Sequence, residues 1–488
     1  MRDPAPLTPL PDYPTLDHAA ARRIVVGVLL TMMLAALDQV VVATALPTIA
    51  ASLGDVDNMP WVVTANLLCG TAVTPLYGKL SDIHGRRTML LIAIGIFALG
   101  SIACALAPTM LALIGARALQ GLGGGGLMPL VQTIIGDVAS PRDRPRYQAY
   151  TSSTFIVSMV GGPLLGGFIA EHLHWSWIFW VNVPLTALAF LLTNNVLKRL
   201  PRHDRPHQLD VLGAFLMVGG AIALMLVLTW GGRRYGWGSP QILALLIGSA
   251  VLWSLFAWRV ISAREPFIPL SVLRDGAMRV GTTAGFFAVG LVIALTIFLP
   301  LYGQLALGLS VSGSALTIIA LQGTATVTSI AGGRLIARVR RYKRVPLAGA
   351  AVAIAAFVPL AIAPTEFSPA VALTLIAIAG SGLGPMFPFT IVVVQNAVPM
   401  HQLGVATGTM NFFRALGGTF IVTAFGAIVL AGAPTIRGLS AGAVLAGAEA
   451  AQAFRWVFAA AVLCLVIALA AVIALEERPW RGSAVSNQ

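Results

Sequence analysis

Apolar residues along the chain gather into long runs, separated by short breaks rich in polar residues, proline or glycine. A helix crossing a hydrocarbon core of about 30 Å needs about 20 such residues. Fourteen runs approach or exceed that length. Six lie at 24–47, 60–80, 88–107, 110–136, 148–171 and 175–197, and two more at 209–229 and 240–262. The last six lie at 278–301, 312–336, 346–363, 369–394, 404–432 and 452–475. The pattern predicts an all-α polytopic membrane protein with 14 transmembrane helices. Composition agrees, since 57% of the 488 residues are hydrophobic and 10% are charged, against about a quarter charged in soluble domains. Disordered and disulfide-stapled secreted classes are excluded. Residues 1–23 read as a polar tail. The run behind them is too long for a signal-peptide core and lacks an A-x-A exit, so it reads as a first span.

The net charge of +13 matters through its placement. With the amino terminus inside, 25 of the 31 Lys and Arg residues fall in cytoplasmic tails and loops. They include Lys79, Arg86 and Arg87, then Arg142, Arg144 and Arg146, then Lys198, Arg199, Arg202 and Arg205, and a dense run from Arg334 to Arg344. Arg233, Arg234 and Arg437 lie outside, and only Arg117 and Arg414 fall deep within spans. The asymmetry places both termini in the cytoplasm and explains the basic balance without nucleic acid. Trp230, Arg233, Arg234, Tyr235 and Trp237 read as an outer interfacial anchor. Cys69, Cys104 and Cys464 sit in apolar stretches without metal-ligand spacing, so no disulfide, metal or cofactor is expected. The glycines at 121 and 123–126 lie inside a helix, and Val73 stands where a Walker A loop needs glycine, so ATP is not expected as a partner.

A short internal repeat organises the spans. Gly78-Lys79-Leu80 and Arg86 at the end of the second run correspond to Gly333-Arg334-Leu335 and Arg341 at the end of the tenth. The offset is eight helices, which fits two six-helix bundles separated by an inserted pair. The predicted division is a tail at 1–23, a bundle at 24–197, the inserted pair at 198–265, a second bundle at 266–475 and a tail at 476–488. Two parallel halves around a midplane cavity describe one major class of secondary transporter.

The stretch Gly78-Lys79-Leu80-Ser81-Asp82-Ile83-His84-Gly85-Arg86-Arg87 resembles motif A of the major facilitator superfamily. Three further stretches resemble motifs of its 14-helix drug:proton antiporters. Leu37-Asp38-Gln39-Val40 through Leu46-Pro47 is similar to that family's first-helix signature, with Val40 in place of the usual threonine. Arg117-Ala118-Leu119-Gln120-Gly121 resembles motif B, and Gly161-Gly162-Pro163-Leu164-Leu165-Gly166-Gly167 resembles motif C, the antiporter motif. His174 through Pro184 is similar to the family's sixth helix, with Ser176 in place of the usual arginine. The resemblance implies the major facilitator fold as 6+2+6 helices and efflux in exchange for protons. It gives the Arg117 motif a part in proton transfer. It also implies that Gly162, Pro163, Gly166 and Gly167 seal a cavity against leak. Gly78, Asp82, Gly85, Arg86 and Arg87 become a conformational latch, with Asp82 facing a helix N-terminus near His401–Gly404, where the dipole favours an anion.

Asp38 is the sharpest feature of the residues themselves, because an ionisable group inside a span is costly and by default functional. It is the candidate proton carrier, with a structural carboxylate as the plain alternative. Arg117 shares its depth and is its natural partner. Gln39, Asn66, Gln120, Gln322, Gln395, Asn411 and Arg414 are candidates to line the cavity, where an apolar pocket with few polar groups suits amphipathic ligands. Arg414 has no acid at its depth in its half. The expected function is proton-coupled export of amphipathic, cationic or neutral small molecules across the cytoplasmic membrane, with lipid and protons as the other partners. The protein is expected to be a monomer and not an enzyme, and a periplasmic adaptor is left open. Alternatives are a dedicated exporter of one metabolite, lipid or siderophore, and a non-transporting membrane sensor. The seventh and eighth spans, outside the repeat, are expected at the periphery.

Overall fold

The computed structural model describes residues 18–55, 58–198, 209–232, 234–339, 341–432 and 448–477. Arg2, Arg199, Arg202, Arg205, Arg233, Arg340, Arg437, Arg478 and Arg481, on which part of the charge reading rests, lie outside those residues, as do most of both tails. Among the described residues the chain is helical, with no strand beyond an isolated bridge between Gly231 and Tyr235. In chain order the helices are α1 (His18–Leu53), α2 (Met59–His84), α3 (Arg86–Ala105), α4 (Met110–Val138), α5 (Arg144–His172), α6 (Trp177–Trp180) and α7 (Asn182–Leu197). Then come α8 (Val211–Trp230), α9 (Pro240–Ser262), α10 (Leu270–Arg274), α11 (Gly276–Leu305), α12 (Val311–Ile318), α13 (Thr324–Arg338) and α14 (Arg344–Ile362). The series ends with α15 (Pro369–Leu383), α16 (Met386–Ala397), α17 (Leu403–Gly432) and α18 (Ala448–Ile473).

Several of these are segments of one longer rod. α6 and α7 make one span, α12 and α13 join through a π-turn at Ile319–Gly323, and α15 and α16 join across Gly384-Pro385. Counted this way, 12 helices among the described residues are long and apolar enough to cross a membrane, where the hydrophobic runs predict 14. α4 and α5, each of 29 residues, are not among the 12. α4 carries Arg117, Gln120 and its glycines, and α5 opens on Arg144, Arg146 and Gln148 followed by Thr151-Ser152-Ser153-Thr154. Arg117, Gln120 and the glycines dilute the apolar character of α4.

Two apolar cores hold α1–α7 together. One gathers Val28, Leu90, Ile94, Leu130 and Ile134, the other Val42, Ile49, Leu113 and Phe179. A single larger core joins α11–α18 through Leu291, Phe298, Phe357, Ile376, Phe389 and Phe458. The outer surface stays apolar, with Leu111, Phe215 and Ile261 more than two-thirds exposed, as lipid-facing helices require. α9 is peripheral as expected, but α8 is not. Its Ala221 and Met225 pack with Leu68 of α2 and with Phe412 and Leu416 of α17, and Trp230 meets Trp61 edge-on at 5.5 Å.

The closest helix contacts are made through glycine. A side chain at Gly125 of α4 would put its Cβ 2.1 Å from the Gly70 carbonyl oxygen of α2, and one at Gly121 would put it 2.4 Å from the Asn66 oxygen. Without water or a hydrophobic drive between helices in lipid, such close backbone packing holds them together. Replacing Gly125 by alanine must push α2 and α4 apart, at about 1–3 kcal/mol. Gly95→Ala, where nothing lies within 4 Å, serves as control and shifts stability by no more than about 0.5 kcal/mol. Thermal unfolding of the solubilised protein checks both. Equal midpoints would show that the α2–α4 approach is not tight.

Candidate functional site

Asp38 sits mid-way along α1, 2% exposed. Its Oδ2 accepts a hydrogen bond from Arg117 Nη1 of α4 at 2.7 Å. Its Oδ1 accepts from Gln120 Nε2 at 2.9 Å and from Asn182 Nδ2 of α7 at 2.7 Å. The network continues outward. Arg117, 1% exposed, also donates through Nε to the Val62 carbonyl at 3.0 Å and through Nη1 to Gln120 Oε1. Gln120 Nε2 donates to Ser101 Oγ of α3 at 2.8 Å, and Asn66 Nδ2 donates to the Arg117 carbonyl at 3.4 Å. The Arg117 guanidinium lies 5.8 Å from the Phe179 ring centroid. An acid and a base of opposite charge are thus desolvated together, with neutral side chains satisfying much of the remaining hydrogen-bonding capacity. That is the condition under which a buried ion pair is tolerable.

The motif C residues reach this site from α5. A Cβ on Gly162 would stand 2.5 Å from Val40 Cγ1, and one on Gly166 would stand 3.0 Å from the Val41 oxygen and closer still to Thr44 Oγ1. α5 therefore lies hard against α1 just beyond Asp38. Pro163 is exposed, and nothing lies within 4 Å of a side chain placed at Gly167. Half of the motif packs on α1, and half faces away.

At the far end of α2 a second charged cluster joins the two groups of helices. Asp82 accepts from the Gly404 N–H at 3.0 Å and from the Val405 N–H at 2.8 Å, both in the first turn of α17. These N–H groups have no partner inside their own helix, and the dipole there favours the carboxylate. Arg86 pairs with Asp82, donates through Nε to Asp137 at 2.8 Å and reaches the Met400 carbonyl at 3.5 Å. Gly85 turns the chain at φ +86°, which suits glycine. A Cβ on Gly78 would stand 2.3 Å from the Gly404 oxygen, so only glycine lets α17 approach there. Arg87 instead bonds Asn194 of α7 at 3.2 Å.

The same end is closed by further contacts. Gln395 of α16 donates to the Gln132 carbonyl at 3.0 Å and accepts from Gln148 at 3.2 Å. Asn411 of α17 donates to Gln132 Oε1 at 2.7 Å, and Ser152 meets Ser329 at 2.9 Å. The seven candidate cavity residues therefore do not share one cavity. Asn66 and Gln120 belong to the Asp38 network, and Gln395 and Asn411 to the seam. Gln39 is exposed, and Gln322 lies in the π-turn and bonds Thr296 at 2.8 Å. Arg414 is packed inside α11, α16 and α17. Sequence reasoning missed Asn182, Ser101, Gln132, Gln148 and Asp137. Asn182 and Gln132 stand as isolated amides in apolar runs and are conspicuous there, whereas Gln148 lies in the polar stretch that opens α5.

The model of the family described as the Major Facilitator Superfamily matches residues 28–422. The chain belongs to that superfamily. Among its relatives, the multidrug transporter protein MdtP of Bacillus subtilis (strain 168) is 33% identical over 83% of this chain and 75% of its own length. Multidrug resistance protein 3 of the same organism is 32% identical over 86% and 81%. An uncharacterized MFS-type transporter of Mycobacterium tuberculosis is 33% identical over 85% of this chain, which spans only 60% of that relative's length. Among solved structures, the proton:xylose symporter XylE superposes with a TM-score of 0.63 at 14% identity, over 92% of this chain and 95% of its own. A bacterial homologue of the iron transporter ferroportin gives 0.63 at 13%, over 93% and 98%. These two establish the fold alone.

Arg117→Met leaves the Asp38 carboxylate buried without its counter-charge, which costs about 3–5 kcal/mol. Adding Asp38→Asn removes the stranded charge and is expected to recover most of that loss. Unfolding of the two single variants and the double variant measures the coupling, and strict additivity would mean that the pair is not energetically linked.

Proposed function

We propose that this chain is a proton-coupled antiporter that exports amphipathic small molecules across the cytoplasmic membrane by alternating access. The observation that carries the reading is the buried Asp38–Arg117 pair, wrapped by Gln120 and Asn182. Protonating Asp38 cancels one charge of the pair and removes the attraction that holds Arg117. One proton thus alters the contacts among α1, α4 and α7. The names of the Bacillus relatives support drug export as the transported process.

In this reading α4 and α5 also cross the bilayer, giving 14 spans with both termini cytoplasmic. Their length of 29 residues each supports this, as does the placement of basic residues. Residues 24–197 and 266–475 rock against each other, with 198–265 as the inserted pair and 1–23 and 476–488 as tails. The end closed by Asp82, Arg86, Gln395 and Asn411 is then the cytoplasmic gate, and breaking the bonds of Asp82 to Gly404 and Val405 opens it. The Gly162–Gly166 seam keeps α5 on α1 so that protons do not leak past Asp38. The unit of transport is a monomer and needs neither metal nor ATP.

The test uses proteoliposomes with an imposed pH gradient and ethidium as the reporter. Asp38→Asn is expected to lose gradient-driven transport by at least about tenfold, with ethidium binding unchanged within about twofold. Equal transport by wild type and Asp38→Asn would remove Asp38 from coupling. Asp82→Asn keeps the shape but weakens the hold on α17 by about 0.3–1 kcal/mol. It is expected to lower the transport rate with the proton dependence intact. A changed proton dependence in that variant would contradict the latch assignment.

A further inference from the structure

Two of the buried arginines, Arg117 and Arg414, are in opposite electrostatic situations. Arg117 has a carboxylate. Arg414 of α17, 6% exposed, has none. Its Nη2 donates to the Phe387 carbonyl at 3.3 Å and to Thr390 Oγ1, both on α16. Its Nε is buried without an acceptor. On the opposite side stands Gly285 of α11, where a Cβ would come within 3.0 Å of Nε, so the missing side chain is what makes room for the guanidinium. One turn before Gly285, the hydroxyl of Thr282 is also buried without a partner. No other titratable side chain packs on this guanidinium from either helix, and α11, α16 and α17 contain no Asp or Glu anywhere along their length. No repacking of these three helices can supply the anion.

A buried guanidinium held only by neutral oxygens has lost its hydration without gaining a counter-charge. Its position shows when it would gain one. Asn411, one turn before Arg414 on the same helix, bonds Gln132 across the seam at 2.7 Å. Arg414 therefore stands directly behind a contact that must break when the halves part. We propose that Arg414 is the recognition point for a carboxylate on the exported molecule, reached when the seam opens, with the Thr282 hydroxyl as a flanking donor. The planar fork of five N–H donors matches a carboxylate in two-point fashion, which lysine does not reproduce. This rests on the exporter reading and makes amphipaths that carry an acidic group the favoured ones among its substrates.

The test compares rhodamine B with its ethyl ester, which share one cationic ring system and differ only in the free carboxylate. Binding to the full-length solubilised protein is read by quenching of its tryptophan fluorescence. Wild type is expected to favour rhodamine B over the ester by at least about tenfold. Arg414→Met and Thr390→Asp, the second of which gives the guanidinium an internal carboxylate, are each expected to abolish that preference with ester binding within about twofold. Arg414→Lys is expected to keep part of the preference. An absent preference in wild type, or equal losses for both dyes in the variants, would overturn the proposal. Transport of the same pair under a pH gradient is scored separately. Preferential binding without gradient-driven transport would sink the exporter reading and leave the assignment of Arg414 standing.

Discussion

In a helix bundle that lies in hydrocarbon, a polar group that does not meet another protein group meets nothing, and this constraint organises the whole chain. Asp38 shows its consequence most directly. Its two oxygens draw donors from α4 and α7, while Arg117 and Gln120 tie in the backbone of α2 and the Ser101 hydroxyl of α3. A single carboxylate thereby fixes the relative positions of five helices in a setting where apolar packing alone gives little directional preference. Every one of those bonds answers to the charge state of one group.

Such a network needs the helices to be close, and glycine supplies the closeness. Gly121 and Gly125 bring α4 onto α2, Gly100 brings α3 onto Gln120, and Gly162 and Gly166 bring α5 onto α1. The same device recurs between the two groups of helices, where Gly78 and Gly404 allow α2 and α17 to touch and where Asp82 then reaches the N-terminus of α17. Backbone contact and charge contact are therefore not separate layers of the design. The glycines set the distances at which short polar side chains such as Asn66, Asn182 and Asp82 can bond across helices.

Much of this was legible in the sequence because the bilayer makes polar residues conspicuous. Asp38 and Arg117 stood out as charges in apolar runs, and Asp82 was matched to the start of α17 from the lack of Lys and Arg there and the dipole of a helix start. What the pattern did not give was partnership at long range. Nothing in the spacing places Gln132 against both Gln395 and Asn411, since those contacts span 263 and 279 residues of chain. The candidate cavity amides therefore divide between the Asp38 network and the seam, with Gln322 bonded to Thr296 and Gln39 exposed. The pattern also misled about α8. An apolar helix of 20 residues outside the repeat reads as a peripheral one, but which face it offers depends on the small residues Ala214 and Ala221, and these let it lie along α2 and α17.

In the proposed alternating access, the position of α8 bears on how the halves move. It touches Leu68 and Trp61 on one side of the seam and Val405, Phe412 and Leu416 on the other, and the Thr423 hydroxyl donates to its Leu228 carbonyl at 3.0 Å. Val405 is also the residue whose N–H holds Asp82. A displacement of α17 that releases Asp82 must therefore slide Val405 past Ala214 and Met217 at the same time. Those contacts are apolar and non-directional, so sliding exchanges one van der Waals surface for another at little cost. The bonds to Asp82 are directional and charged, and are lost outright. Between α2 and α17 the resistance to parting thus concentrates in the Asp82–Arg86–Asp137 cluster, while α8 covers that line along its length.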